Sequence, residues 1–336
     1  MRKSIVLVLD PIAEVQEYAR LAEEAGFEAV WLTDFFNRDA FVRMAMAGAA
    51  TERIGIASGI AYAFARSPVL TAAAAADVDE LTGGRVILGL GAGTKRMQES
   101  WYGLKFESPA PKAAEVVRLL RALWAAPGGR PFKFEGRFYN IAIDLFGRPG
   151  KARSRIPVYM AGVNRVMVRT AAEVADGLVG HPLYSRRYLA EVVGPAVADG
   201  VKRASRDRSE FDLAGYVITS IAEDRGVARQ EARNQIGFYA TTLTYDSILD
   251  LHGWEREKTE IRAAFRSFNL PGMAAAVSDE MLDQIAVAGT ADECREQLKR
   301  YDGLLDHVLL YPPSVGINPE RVKENYRLIM QTFGTH

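Results

Sequence analysis

Eight short apolar runs, each followed by a helical stripe or a turn, limit this chain to very few architectures. They are Ile5–Leu9, Ala29–Thr33, Ile54–Ser58, Val86–Leu90, Pro157–Ala161, Gly177–Gly180, Asp212–Ile221 and Asp306–Tyr311. Most are continuous and rich in β-branched residues, with no polar alternation, as expected for strands of a parallel sheet covered on both faces. Between them the period changes. Glu14–Ala25 carries apolar residues at 15, 18, 19, 21, 22 and 25, a helical stripe, and Gly26 sits where a C-cap belongs. Further helices are expected over Phe41–Thr51, Val69–Leu81, about Arg165 to Ala175, 186–204 and Pro319–Phe333. Strand-helix alternation predicts a parallel sheet with right-handed crossovers, and eight strands close a (β/α)8 TIM barrel.

Two stretches break the repeat. Residues 130–143 alternate around Glu135-Gly136 and predict a β-hairpin. Residues 225–288 predict a largely helical insertion after strand 7, covering the barrel mouth, with a further helix over Ala291–Tyr301. The flanking segments lack the Pro/Gly/Ser character of a domain linker, so residues 1–336 are expected to form one domain.

Charge and composition exclude several partners. Lys+Arg and Asp+Glu number 42 each, a balance that argues against nucleic acid or an anionic membrane, both of which reward a basic patch. Cys294 stands alone, and His181, His252, His307 and His336 show no metal-ligand spacing, so no metal site is expected. The apolar run near the N-terminus is too short for a signal peptide, and no stretch approaches about 18 apolar residues. A cytoplasmic protein is expected.

In such barrels the chemistry sits on the loops after the strands. Asp34, ending strand two, could exchange protons, hydrogen-bond a heterocycle, or simply cap the next segment. Gly89-x-Gly91-x-Gly93 follows strand four, not strand one, and lacks the GxGxxG spacing. Its glycines serve either a ligand loop or a tight turn. Ala161-Gly162-Val163-Asn164 runs into a helix near Arg165, where backbone amides form an anion site and Asn164 could also be the N-cap. His181 ends strand six, where a histidine could be catalytic or structural. Tyr62 and Tyr184 could shape a pocket. Lys95-Arg96 could meet an anionic tail or remain a solvated pair.

Several blocks together resemble the luciferase-like superfamily, and in particular its F420-dependent branch, that of methylenetetrahydromethanopterin reductase. They are WLTDFF (31–36), IGIASGIAYAFARSPVLTAAAAADVDELTGGRVILGLGAG (54–93), FEGRFYNI (134–141), IPVYMAGVNRVMVRTAAEVADGLVGHP (156–182) and VAGTADECREQL (287–298). The resemblance implies a bacterial-luciferase-type barrel holding coenzyme F420, or alternatively FMN. It implies a cofactor site at Asp34, the bulge Ser58-Gly59-Ile60, the loop Gly91-Ala92-Gly93-Thr94, the turn Ala161–Arg165, and His181. Asp34, His181 and Tyr62 are its catalytic candidates. Gly59–Ile60 would be a non-prolyl cis peptide, with Gly59 and the glycines at 91–93 permitting close approach of a ring. The activity implied is hydride transfer between the deazaflavin C5 and a small organic substrate, in a homodimer or higher homo-oligomer. An FMN-dependent monooxygenase and a non-catalytic flavin-binding member are the alternatives. Two residues depart from the pattern. Phe35 follows Asp34 where some relatives carry a catalytic histidine, which counts against sugar-phosphate dehydrogenation. Tyr62 replaces a small amide, so the pterin substrate is not carried over.

Overall fold

All eight apolar runs form strands in the computed structural model, which describes residues 1–147 and 153–335. They are β1 (Arg2–Leu7), β2 (Ala29–Leu32), β3 (Gly55–Ser58), β4 (Val86–Gly91), β5 (Val158–Gly162), β6 (Gly177–Gly180), β7 (Asp212–Ile221) and β8 (His307–Tyr311). Each pairs in parallel with its neighbours in chain order, and β8 returns to β1. The sheet closes into a (β/α)8 barrel. Helices α1 (Ile12–Glu24), α2 (Ala40–Ala49), α3 (Pro68–Leu81), α4 (Pro109–Ala125), α5 (Arg165–Val174), α6 (Gly194–Arg203) and α7 (Arg225–Ala240) occupy the crossovers, and α8 (Pro319–Phe333) follows β8.

The interior is filled by side chains. Trp31 is fully buried, with Tyr159 and His307 at ring distances of 5.8 and 6.1 Å. At the N-terminal ends of the strands, Ser4 Oγ lies 2.7 Å from His307 Nε2, and His307 Nδ1 lies 3.3 Å from Asp212 Oδ2. Tyr159 also donates to that carboxylate, at 2.6 Å, and Arg2 pairs with its other oxygen at 2.6 Å. The order Ser-His-Asp invites comparison with a hydrolytic triad, but Ser4 and His307 are buried on the face opposite the functional loops. The network ties strand starts together.

The family-like segment Thr82–Arg85 has a structural role of the same kind. Arg85 donates to the carbonyls of Gly48, Thr51, Ile54 and Thr82, fastening α2 and β3 to the turn after α3. The expected hairpin pairs Arg130–Glu135 with Asn140–Phe146. The Glu115 carboxylate on α4 accepts from the amides of Arg137, Phe138 and Tyr139 at 2.7–2.8 Å, so α4 holds the turn.

Two expectations need correction. The helix over 186–204 is interrupted by a π-helical turn at Leu189–Val193, because Pro195 has no amide to continue the α-helical ladder. The stretch 225–288 contains a strand, Ala286–Gly289, parallel to the second half of β7 with Ile218 opposite Ala286 and Ile221 opposite Gly289. A four-residue buried run is too short for periodicity to separate from a helix end. The remainder is helical: α7 is followed by Asp246–His252, Glu255–Arg266, Leu270–Ala275 and Asp279–Ile285. The expected helix after it covers Ala291–Leu298 and ends in a 3-10 turn, Lys299–Tyr301; Thr290 and Glu293 form its capping box.

Candidate functional site

The loops after the strands meet at one mouth, and Asp34 joins two of them. Its Oδ1 accepts from the Ala40 amide at 2.6 Å, at the start of α2, and its Oδ2 from the Tyr62 amide at 2.9 Å, after β3. Burial raises its carboxyl above the usual range, against the opposing effect of those two amides. The expected capping role is therefore real, and each oxygen is already engaged. Asp39 supplies the side-chain cap proper, accepting from Val42.

The bulge after β3 is built from protein groups on both sides. Its Gly59–Ile60 peptide is cis. Ser58 is fully buried, donates to the Gly89 carbonyl at 2.8 Å and accepts from the Gly89 amide at 2.9 Å; it staples β3 to β4. The expectation that Gly59 leaves room for a ring is corrected. A side chain there would strike the Tyr216 hydroxyl and lie 3.0 Å from Trp31, so the space belongs to the barrel interior. The same correction covers Gly91, where a Cβ would run into the Ile60 side chain. Gly93 is required for its backbone, with φ at +67°. Beyond it, Thr94 accepts from the Met97 amide at 3.3 Å, and buried Gln98 donates to the Ala92 carbonyl at 2.8 Å, within a π-helical turn at Met97–Trp101. Lys95 and Arg96 are exposed, with Lys95 near Glu99.

The turn Ala161–Arg165 ends β5 and begins α5. Asn164 is the N-cap, accepting from Met167 at 3.1 Å. The amides of Arg165 and Val166 have no acceptor among the described residues, and both residues are exposed. Such amides at a helix start suit an anion. Two tyrosines of the next crossover brace the turn: Tyr184 donates to the Gly162 carbonyl at 2.6 Å and Tyr188 to the Val163 carbonyl at 3.1 Å.

His181 accepts at Nδ1 from the Leu183 amide, 3.1 Å away, which leaves Nε2 as the protonated nitrogen. Burial lowers the imidazole to about 3, so it is neutral at ordinary pH. Its ring lies 3.9 Å from that of Tyr245 and 5.0 Å from that of Tyr239, both from the segment after β7. Tyr239 donates to the Tyr311 hydroxyl at 3.1 Å, and Tyr311 packs 5.6 Å from Tyr216. Tyr62 packs 5.6 Å from Tyr102. Burial pushes the Tyr62, Tyr216, Tyr239 and Tyr245 hydroxyls upward, so these groups stay protonated, and Tyr216 and Tyr239 donate hydrogen bonds. Of these tyrosines, sequence reasoning singled out only Tyr62. The others come from strand interiors and the insertion, where no local motif marks them. Among the described residues no cluster of metal-ligating side chains occurs, and no helix is long and apolar enough to cross a membrane.

A closed parallel barrel with this bulge, braced helix start and tyrosine-lined mouth defines a luciferase-like architecture. The chain belongs to the luciferase-like monooxygenase family, whose description matches residues 2–307. It is 34% identical to an uncharacterized protein of Mycobacterium tuberculosis over 89% of both chains. It is 30% identical to the 5,10-methylenetetrahydromethanopterin reductase of Archaeoglobus fulgidus over 85% of both. Among solved structures, the coenzyme F420 dependent tetrahydromethanopterin reductase of Methanopyrus kandleri superposes with a TM-score of 0.83 at 23% identity, covering 98% of this chain and 97% of that one. The oxygenating constituent of 3,6-diketocamphane monooxygenase from Pseudomonas putida, a complex with FMN, superposes at 0.71 and 14% identity, over 99% and 98%.

Proposed function

We propose that this chain is an F420-dependent oxidoreductase acting on a small organic substrate, built as one domain and assembled as a homo-oligomer. The observation carrying the cofactor reading is the extended similarity to a methylenetetrahydromethanopterin reductase, 30% over 85% of both chains. The site's own groups fit a phosphorylated tricyclic cofactor. The unpaired amides of Arg165 and Val166 would take the phosphate, and the bulge 58–62 with the loop 91–94 would back the ring. When bound, F420 supplies hydride exchange at its C5.

The protein's part is orientation and polarisation of the substrate. Tyr62 and His181 are neutral hydrogen-bond donors at ordinary pH and suit polarisation of a carbonyl oxygen on the substrate. Asp34, with each oxygen held by an amide, positions the loops that carry them and is less suited to serve as a base.

An FMN-dependent monooxygenase is the second reading, supported by one observation: the amides at the start of α5 would donate to the FMN phosphate equally well. Fluorescence titration of the purified protein with F420 and with FMN separates the two. F420 is expected to bind more tightly and to support turnover. Tighter FMN binding with FMN-dependent oxygen uptake would move the protein to the monooxygenases, and binding without turnover on either would leave a flavin-binding protein.

A further inference from the structure

Arg38 is a cation on the turn after β2 that no part of the proposed chemistry uses. It closes a tight turn with Phe35, whose amide donates to the Arg38 carbonyl at 3.0 Å and whose carbonyl accepts from the Arg38 amide at 3.3 Å. The guanidinium carbon lies 5.6 Å from the Phe35 ring centroid, and Nε donates to Asn37 Oδ1 at 3.3 Å. Nη1 is buried and has no hydrogen-bond partner among the described residues. No carboxylate lies within ion-pair distance of it among those residues. The two nearest in sequence are committed elsewhere, Asp34 to the amides of Ala40 and Tyr62, Asp39 to Arg66.

Arg38 opposes the burial-driven rise of the Tyr62, Tyr311 and Tyr326 hydroxyls. Tyr62 follows β3, Tyr311 ends β8, and the Tyr326 hydroxyl bridges Val6 and Val8 at the end of β1. Arg38 itself stands on the turn after β2, with Nη1 shielded from solvent. A guanidinium nitrogen buried without a partner is unsatisfied, and a guanidinium offers a planar fork of donors that matches an oxyanion in two-point contact.

We propose that Arg38 is a specificity-determining residue that receives a carboxylate or similar oxyanion on the substrate, an assignment that rests on the oxidoreductase reading above. The aromatic surroundings, Phe35 under the guanidinium and Tyr62 beside Tyr102, favour an acid with a flat apolar body.

The test uses benzoate and its uncharged counterpart benzamide as probes, titrated calorimetrically into the full-length protein with and without saturating cofactor. The intact chain is expected to prefer benzoate by about tenfold or more, Arg38→Gln to erase the preference, and Arg38→Lys to keep part of it. Thermal midpoints should be unchanged in both variants. Equal binding of the two probes, no binding of benzoate, or a preference that survives in Arg38→Gln would each overturn the assignment. A parallel titration of F420 and FMN into Arg38→Gln separates the sources of the oxyanion: weakening of the cofactor by about tenfold would give Arg38 to the cofactor and remove it from the substrate. If neither cofactor binds the intact chain, the oxidoreductase reading fails on its own evidence, because the probe preference is measured independently on the cofactor-free protein.

Discussion

The hydroxyl of Tyr216, midway along β7, donates to the carbonyl of Gly59 at the end of β3. The two residues meet inside the barrel, and the same hydroxyl occupies the space where a side chain at 59 would begin. One atom thus holds the bulge and enforces glycine within it.

That relationship predicts coupling. Gly59→Ala should cost about 1–3 kcal/mol by overpacking. Tyr216→Phe should cost about 1–3 kcal/mol by leaving a buried carbonyl unsatisfied. In the double variant the obstructing oxygen is gone, so the two costs should fall short of additive by about 0.5–3 kcal/mol. Chemical denaturation of the four proteins measures the cycle. Strict additivity would show that the hydroxyl does not impose the glycine.

The start of α5 predicts opposite signs in two measurements. Val166 is an exposed residue of the first turn, so Val166→Glu should raise stability by about 0.3–1 kcal/mol through the helix dipole. The same carboxylate beside a cofactor phosphate should weaken cofactor binding by about tenfold. Melting curves and fluorescence titration read the two effects separately, and unchanged affinity would remove this helix from the site. Gly162→Asp is a poorer probe, because its Cβ would lie 3.1 Å from the Val168 nitrogen and 3.3 Å from Leu178.

His181 should not act as a switch near neutrality. Its imidazole is lowered to about 3 by burial, so NMR of the ring should show no titration between about pH 5 and 8. The folded value is below the unfolded one, so acid favours the unfolded chain. Its contribution to stability is whole above about pH 6.5 and is lost as pH falls from there toward the folded value. His181→Phe should flatten that part of the stability profile, and an unaltered slope would contradict the assignment.

At the opposite end of the barrel, Asp212→Asn should destabilise by about 1–3 kcal/mol, discounted because its partner Arg2 is half exposed. Burial alone would raise this carboxyl, but His307, Tyr159 and Arg2 hold it below its ordinary value. Its stabilising contribution is therefore present above the unfolded pKa, about 3.9, and lost as pH falls through the lower folded value. Urea midpoints of both proteins at neutral and acidic pH should converge on the acid side.

The barrel was legible because burial on both faces leaves a continuous apolar run, a local signal repeated eight times. The site was legible only at its loops. Asp34, Tyr62 and the turn at 161–165 stand at strand ends, and position alone marks them. Ser58 stands at one too, yet its side chain points at Gly89, and nothing in the residue type discloses that direction. Glycine at 91 was visible, but its reason, the Ile60 side chain, lies across two strands. Tyr216, Tyr239 and Tyr245 reach the mouth only through tertiary packing. Arg38 resembles any solvated arginine until its surroundings are known.

The strand Ala286–Gly289 has an evolutionary consequence. Ile221 and Gly289 are register partners, and the Ala222 amide donates to the Gly289 carbonyl at 3.1 Å. The chain leaves β7 and comes back to it at one point. The segment between the end of α7 and this strand, residues 241–285, can therefore change in length without shifting the register of any of the eight barrel strands. That segment carries Tyr245 to His181, so it is a cassette through which descendants of one scaffold can alter the mouth while inheriting the same barrel.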